Sequence, residues 1–280
     1  MGLKDIKLRM NAVKKTASIT QAMHNIALSK IKKATELHSH ASGFVDKIHS
    51  ILENAFQGLG SPHRMMEKSE NKHTLFILVT SDRGLCGSYH NNIFKAFLDE
   101  VKDRDPKSFK VFVLGKKGFY FAQKRGFKMI NTEIIYNRDD ITTMSYRTYA
   151  HLIKEAFMEG AFDQVVIYYS HYINTATQTI NREQMLPIDY ERPALFHESY
   201  IYDIPAEEVV DQAMDIYIES HIFEALADAK LSEHASRMIA MKNATDNAND
   251  VVARLHTMYH RARQQEITSE LIDVVNGSNV

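Results

Sequence analysis

Apolar residues recur every three or four positions from the first turn of the chain onward. Ile6, Met10, Val13, Ala17, Thr20, Met23, Ala27, Ile31, Ala34, Leu37, Ala41, Val45, Ile48 and Leu52 form one stripe. That spacing predicts a single helix, ended by the cluster Gly58, Gly60, Ser61 and Pro62. About 50 residues at 1.5 Å each make a rod of roughly 75–80 Å. The other end of the chain carries the same signal. After Pro205 neither proline nor glycine occurs until Gly277, and Met238, Met241, Thr245, Ala248, Val252, Leu255, Tyr259 and Ala262 keep three–four spacing. A repeat sustained over more than three heptads predicts a coiled-coil seam rather than the wider stripe of a surface helix. This rod is on the order of 100 Å long.

Between the rods the period changes. HTLFILVT (73–80), FKVFVLG (109–115) and QVVIYYS (164–170) are short, β-rich apolar runs, separated by helical patterns near 91–102, 116–125 and 145–159. Alternation of that kind predicts an α/β domain with a parallel sheet covered on both faces. TATQTINREQMLPI (175–188) reads as a further strand, polar enough to lie at an edge. The expected division is therefore 1–60 for the first helix, 61–204 for the α/β domain and 205–280 for the last helix.

Composition removes several classes of function. A formal net charge of −1 gives no general attraction to nucleic acid or to an anionic membrane. The single cysteine, Cys86, excludes an internal disulfide framework. No run approaches the 18 or so apolar residues needed to span a bilayer. Charge is unevenly placed, however. Residues 1–33 hold eight Lys or Arg against Asp5, and residues 203–234 hold nine Asp or Glu against Lys230. Opposite signs on two rods suggest that the basic one lies near the acidic stretch.

Candidate chemistry is sparse. Strand 73–80 runs into Thr80-Ser81-Asp82-Arg83-Gly84-Leu85-Cys86-Gly87, but neither a Gly-x-Gly-x-x-Gly turn nor a Walker loop is present. The loop reads as a tight strand-to-helix turn with Asp82 and Arg83 exposed for a partner. Cys86 reads as a packed thiol, with no histidine fixed beside it by sequence. His38 and His40 point to different helix faces, and His256/His260, at i,i+4, lack the carboxylate of His-Glu-x-x-His. No catalytic, cofactor or metal residue is therefore nominated. The run 232–248 is rich in Ala, Met, Asn, Ser and Thr, residues that weaken a seam but fix its register and admit more than one neighbour.

Four motifs bring a family into view. They are Thr20-Gln21-Ala22-Met23 through Ser29-Lys30, Ser81-Asp82-Arg83-Gly84-Leu85-Cys86-Gly87, Arg237-Met238 through Met241-Lys242-Asn243-Ala244-Thr245-Asp246-Asn247-Ala248, and Ala262-Arg263-Gln264 with Ile267-Thr268 and Glu270-Leu271-Ile272. In this order, and over nearly all of the chain, they resemble the gamma subunit of the bacterial rotary F-type ATP synthase.

The resemblance implies an antiparallel coiled coil of the terminal helices plus a Rossmann-like domain at its foot. It implies a central-stalk rotor without an active site or cofactor, coupling proton-driven rotation of the c ring to ATP synthesis on the beta subunits. Its partners would be the alpha, beta, delta and epsilon subunits and the c-subunit ring, not nucleic acid. It would meet the membrane only through the complex, at the cytoplasmic face of the bacterial inner membrane. Subunit contact and torque would fall to Met23, Arg237, Arg263, Gln264 and Thr268. Foot contacts would come from Asp82, Arg83, Tyr200, Tyr202 and Asp203. The tip, with Ile267, Leu271, Val274 and Val275, would sit in an apolar sleeve. Departures from the family pattern are Gln21 where Lys is usual, the neighbouring His24, and a tail 276–280 with little alanine. On the residues alone, a stand-alone α/β enzyme that dimerises through its helices and an unrelated coiled-coil scaffold also stay open.

Overall fold

The structure, a computed structural model, describes residues 2–59, 63–67, 73–138, 140, 146–189 and 203–277. In chain order the elements are α1 (Leu3–Gln57), β1 (Thr74–Val79), α2 (Tyr89–Val101), β2 (Phe109–Leu114), α3 (Lys116–Arg125), α4 (Arg147–Met158), β3 (Gln164–Tyr172), β4 (Gln178–Leu186) and α5 (Ala206–Gly277). The chain forms two compact units, Met1–Ser29 with Arg237–Val280, and Lys30–Ser236.

The larger unit is built on a sheet of order β2-β1-β3-β4. β1 pairs in parallel with β2 and β3, and β4 turns back antiparallel to β3 at the edge. The sheet is thus mostly rather than wholly parallel, because only five residues separate β3 from β4, too few for a crossover. β1 is buried at all six positions, since both sheet faces are covered. Phe76 and Leu78 face α2 and α3, joining Phe97, Val111, Val113, Phe119 and Ala122. Leu75, Ile77 and Val79 take the other face, packing with Leu52 and Ala55 of α1, Ile153 and Phe157 of α4, and Met214, Ile218 and Leu226 of α5. The two long helices run antiparallel within this unit. His49 and Tyr217 stand with ring centroids 6.3 Å apart, and a methyl at Gly58 would lie 3.1 Å from the Ala206 Cβ.

The smaller unit is a two-helix seam. Ile6, Ala17 and Ala27 of α1 and Met238, Met241, Thr245, Ala248 and Leu255 of α5 are buried. The Thr20 and Thr245 hydroxyls meet at 2.7 Å, and the His24 Nδ1 donates to the Met238 carbonyl at 3.0 Å. As α1 advances from 20 to 24, α5 falls back from 245 to 238, so the pair is antiparallel.

That register divides the basic residues of α1. Lys4, Lys7, Arg9, Lys14 and Lys15 belong to the smaller unit with α5 from Arg237 onward, whereas Lys30, Lys32 and Lys33 belong to the larger unit together with the acidic stretch 203–234. Several acidic side chains of that stretch have partners within the larger unit. Lys154 Nζ reaches Asp211 Oδ1 at 2.9 Å and Asp215 Oδ2 at 3.3 Å, and His171 Nδ1 reaches Asp228 Oδ2 at 2.6 Å. Burial opposes the charge on Lys154, but hydrogen bonds to Asp211 and Asp215 outweigh it and raise its pKa.

Candidate functional site

The loop after β1 is held from several directions. Gly115, at φ +98°, admits a close approach that no side chain allows, since a Cβ there would stand 2.3 Å from the Thr80 carbonyl oxygen. This brings the start of α3 under the loop, where Asp82 Oδ1 accepts from the backbone N–H of Lys116 at 2.9 Å and of Asn137 at 3.1 Å. Asp82 is half-buried rather than exposed, and it acts as a cap supplied from 34 residues away. Arg83 is exposed, as expected. Asn137, Arg138, Lys230 and Glu233 close around the pair, leaving a cleft of about 120 Å³. Those four residues come from distant segments, and no local motif announces them.

Cys86 is 1% exposed, and a histidine does stand beside it. His90 Nδ1 is 3.4 Å from the Cys86 Sγ, and its Nε2 is 2.8 Å from the Ser81 hydroxyl, which donates to the Arg83 carbonyl. The i,i+4 spacing of Cys86 and His90 at the start of α2 was the available signal. These bonds fix the loop while Leu85, at φ +62°, presents its side chain to solvent. A leucine in the left-handed region is uncommon, and the loop's other bonds hold it there.

Beside this loop α5 passes through the domain with no exposed face. Every residue from Ala225 to Ala235 is buried, including Asp228, Lys230, Ser232, Glu233 and His234. Asp228, Lys230, Ser232 and Glu233 are bonded in place. Asp228 Oδ1 accepts the Tyr172 N–H at 2.8 Å, Lys230 Nζ donates to the Asn137 carbonyl at 2.7 Å and to Glu233 Oε2 at 3.1 Å, and the Ser232 and Ser170 hydroxyls meet at 2.6 Å. One turn on, the Ser236 hydroxyl donates to Gln178 Oε1 at 2.9 Å. The small and polar residues of the run 232–248 thus serve two neighbours, the sheet at one end and α1 at the other.

Met23 is half-buried on the seam face of α1, and Arg237 is buried on α5. His24 contributes a bond across the seam, whereas Gln21 faces solvent and donates to Asn25 Oδ1 at 3.1 Å. From Arg263 to Val274 every side chain of α5 is exposed, among them Gln264 and Thr268. The Thr268 hydroxyl donates back to the Gln264 backbone carbonyl at 2.8 Å, and the Gln264 side chain is exposed. Leu271 and Val274 are 60% and 69% exposed, the expected state of apolar residues on a helix that has outrun its partner. Asp203 is exposed. Tyr200, Tyr202 and the Val275 side chain lie outside the described residues.

A family model described as ATP synthase matches residues 2–280. The chain belongs to the ATP synthase gamma-subunit family. Solved structures agree on the fold. A chain of the Euglena gracilis mitochondrial ATP synthase rotor in rotational state 1 is similar with TM-score 0.66 and 18% identity, covering 95% of this chain and 98% of that one. A chain of the Euglena gracilis mitochondrial OSCP/F1/c-ring assembly in rotational state 3 is similar with TM-score 0.68 and 18% identity, covering 99% and 93%. A chain of the Tetrahymena thermophila mitochondrial central stalk and c-ring is 25% identical with TM-score 0.60, covering 81% and 99%. In this gamma-family chain no helix among the described residues is long and apolar enough to cross a membrane. Among the same residues no group of three His, Cys, Asp or Glu could hold a metal ion.

Proposed function

We infer that this chain is the central-stalk rotor subunit of a membrane-bound, proton-translocating ATP synthase. One observation carries the reading: an ATP synthase family match over residues 2–280, on a chain whose α5 runs unbroken for 72 residues. Proton flow turns the c ring, the ring turns this subunit, and the asymmetric rotor drives the beta subunits through their catalytic states. Nucleotide and Mg²⁺ belong to the alpha and beta subunits, and this chain contributes no active site of its own. Its partners are alpha, beta, delta, epsilon and the c ring, and it lies at the cytoplasmic face of a bacterial inner membrane. Arg83 and Asp203, with Tyr200 and Tyr202, serve contacts at the foot. Met23 and Arg237 transmit force along the seam.

The bare end of α5 divides its labour. Ile267, Leu271 and Val274 are each worth about 1.5–3 kcal/mol when buried, nearly independent of the angle of rotation. An apolar sleeve around them makes a bearing. Arg263, Gln264 and Thr268 form directional bonds, and one to a charged partner is worth about 1.5–3 kcal/mol. Such bonds favour particular angles, which is what coupling requires.

Co-purification from membranes tests the assignment: the tagged chain should bring down alpha, beta and epsilon in a complex with ATPase activity. Recovery without them would overturn it. Within that complex, Arg263→Ala with Gln264→Ala should slow rotation at near wild-type assembly, while truncation after Thr268 should loosen assembly more than mechanics. The reverse pattern would refute the division.

A further inference from the structure

His256 and His260 belong neither to the seam nor to any contact assigned above. Both rings are exposed on α5, one turn apart on a single helix face. Their Nε2 atoms converge to 3.3 Å, with ring centroids 4.4 Å apart and planes at 72°. Without a metal, one imidazole N–H reaches the lone pair of the other ring as a long hydrogen bond. The same separation suits a shared metal ion. With two nitrogens at about 2.0–2.1 Å from the metal, a 3.3 Å separation subtends about 104–111°, which brackets the tetrahedral angle.

We propose that His256 and His260 form a two-ligand chelate for a divalent late transition-metal ion such as Zn²⁺, Ni²⁺, Cu²⁺ or Co²⁺. Imidazole donors select these ions over Mg²⁺ and Ca²⁺, which demand oxygen ligands. Among the described residues no third His, Cys, Asp or Glu joins the pair, so two positions of a tetrahedral ion fall to water. The site is open and exchanging rather than structural. Closing a ring across one helical turn, the ion also ties residue 256 to residue 260 and opposes local fraying there. The proposal is independent of the rotor assignment.

Calorimetric titration of the full-length chain with Zn²⁺ should show one more site than titration of the variant His256→Gln with His260→Gln. Either single substitution should weaken that site by about tenfold or more, since loss of an outer-shell partner alone costs that much in metal sites. Co²⁺ added to the wild-type chain should give the intense visible absorption of tetrahedral nitrogen coordination, absent from the double variant and abolished by EDTA. The wild-type chain supplies a check that needs no variant: Cu²⁺ spin resonance should show hyperfine coupling to two imidazole nitrogens, and Zn²⁺ should slow amide exchange across residues 253–263. Equal Zn²⁺ stoichiometry in wild type and double variant, or only weak octahedral Co²⁺ absorption, would overturn the proposal. So would a Cu²⁺ spectrum with a single nitrogen.

Discussion

Asp82 and Arg83 are neighbours in the foot loop, yet substitution should separate them completely. Asp82→Ala removes an acceptor shared by two backbone donors, at 2.9 and 3.1 Å. One of them, the Lys116 N–H, is among the orphan donors of the first turn of α3, so the loss includes that of an N-cap, about 0.5–2 kcal/mol. The second donor adds a charge-assisted bond of about 1.5–3 kcal/mol, reduced because the carboxylate is half-exposed. Together the expected destabilisation is about 2–4 kcal/mol. Asp82→Asn keeps an acceptor oxygen and loses only the charge, so it should cost about half as much. Arg83→Ala, at an exposed position, should stay within about 0.5 kcal/mol. The chain has no tryptophan, so urea unfolding is best followed by the near-ultraviolet circular dichroism of its 13 tyrosines. The midpoint should fall for Asp82→Ala with the slope unchanged. A midpoint shift no larger than that of Arg83→Ala would refute the capping role and return Asp82 to the surface.

Three further outcomes follow from the same geometry. Ala248→Pro, in the buried seam, should cost roughly 3 kcal/mol or more and abolish ATP-driven proton pumping in membranes carrying it; normal pumping would contradict a force-bearing seam. Lys230→Met leaves Glu233 buried without its ammonium and should destabilise by about 3–5 kcal/mol, whereas adding Glu233→Leu should recover much of that loss in the same unfolding assay. Glu183 accepts from His221 first and also from Tyr169, and these bonds hold its carboxyl below the usual 4.5 despite burial. A depressed folded-state pKa means that the unfolded chain binds more protons in this window. The contribution is therefore complete above 4.5 and is lost as pH falls through the folded-state value. Glu183→Gln should flatten that acid limb of the stability curve, and an unchanged limb would rule out this linkage.

The apolar stripe of α1 was legible residue by residue. Each position named from Ile6 to Leu52 is buried or half-buried, because an antiparallel partner forces the same three–four spacing that the sequence displays. The strands were legible for a similar reason, since β1 has no polar position to interrupt it. Charge was an incomplete guide because sign carries no register. Within 203–234, Asp211 and Asp215 pair with Lys154, and Asp215 and Asp228 reach the rings of His151 and His171, across a tertiary fold that local composition does not encode. Asp82 was misread on the same ground, its partners Lys116 and Asn137 lying 34 and 55 residues away. The outward bond-making groups at the end of α5, by contrast, followed from the stripe simply ending at Ala262.

The burial of residues 225–235 on every side has a consequence for how α5 opens. A helix with one solvent face can lose a turn locally, whereas one enclosed all round releases its amides only when the surrounding sheet and helices come apart. Amides of 225–235 should therefore exchange at the slowest rate in the chain, and those of 263–274 at close to the rate of a bare helix end. One continuous element then holds both extremes of local stability, clamped at one part of its length and free to loosen and re-form at the other.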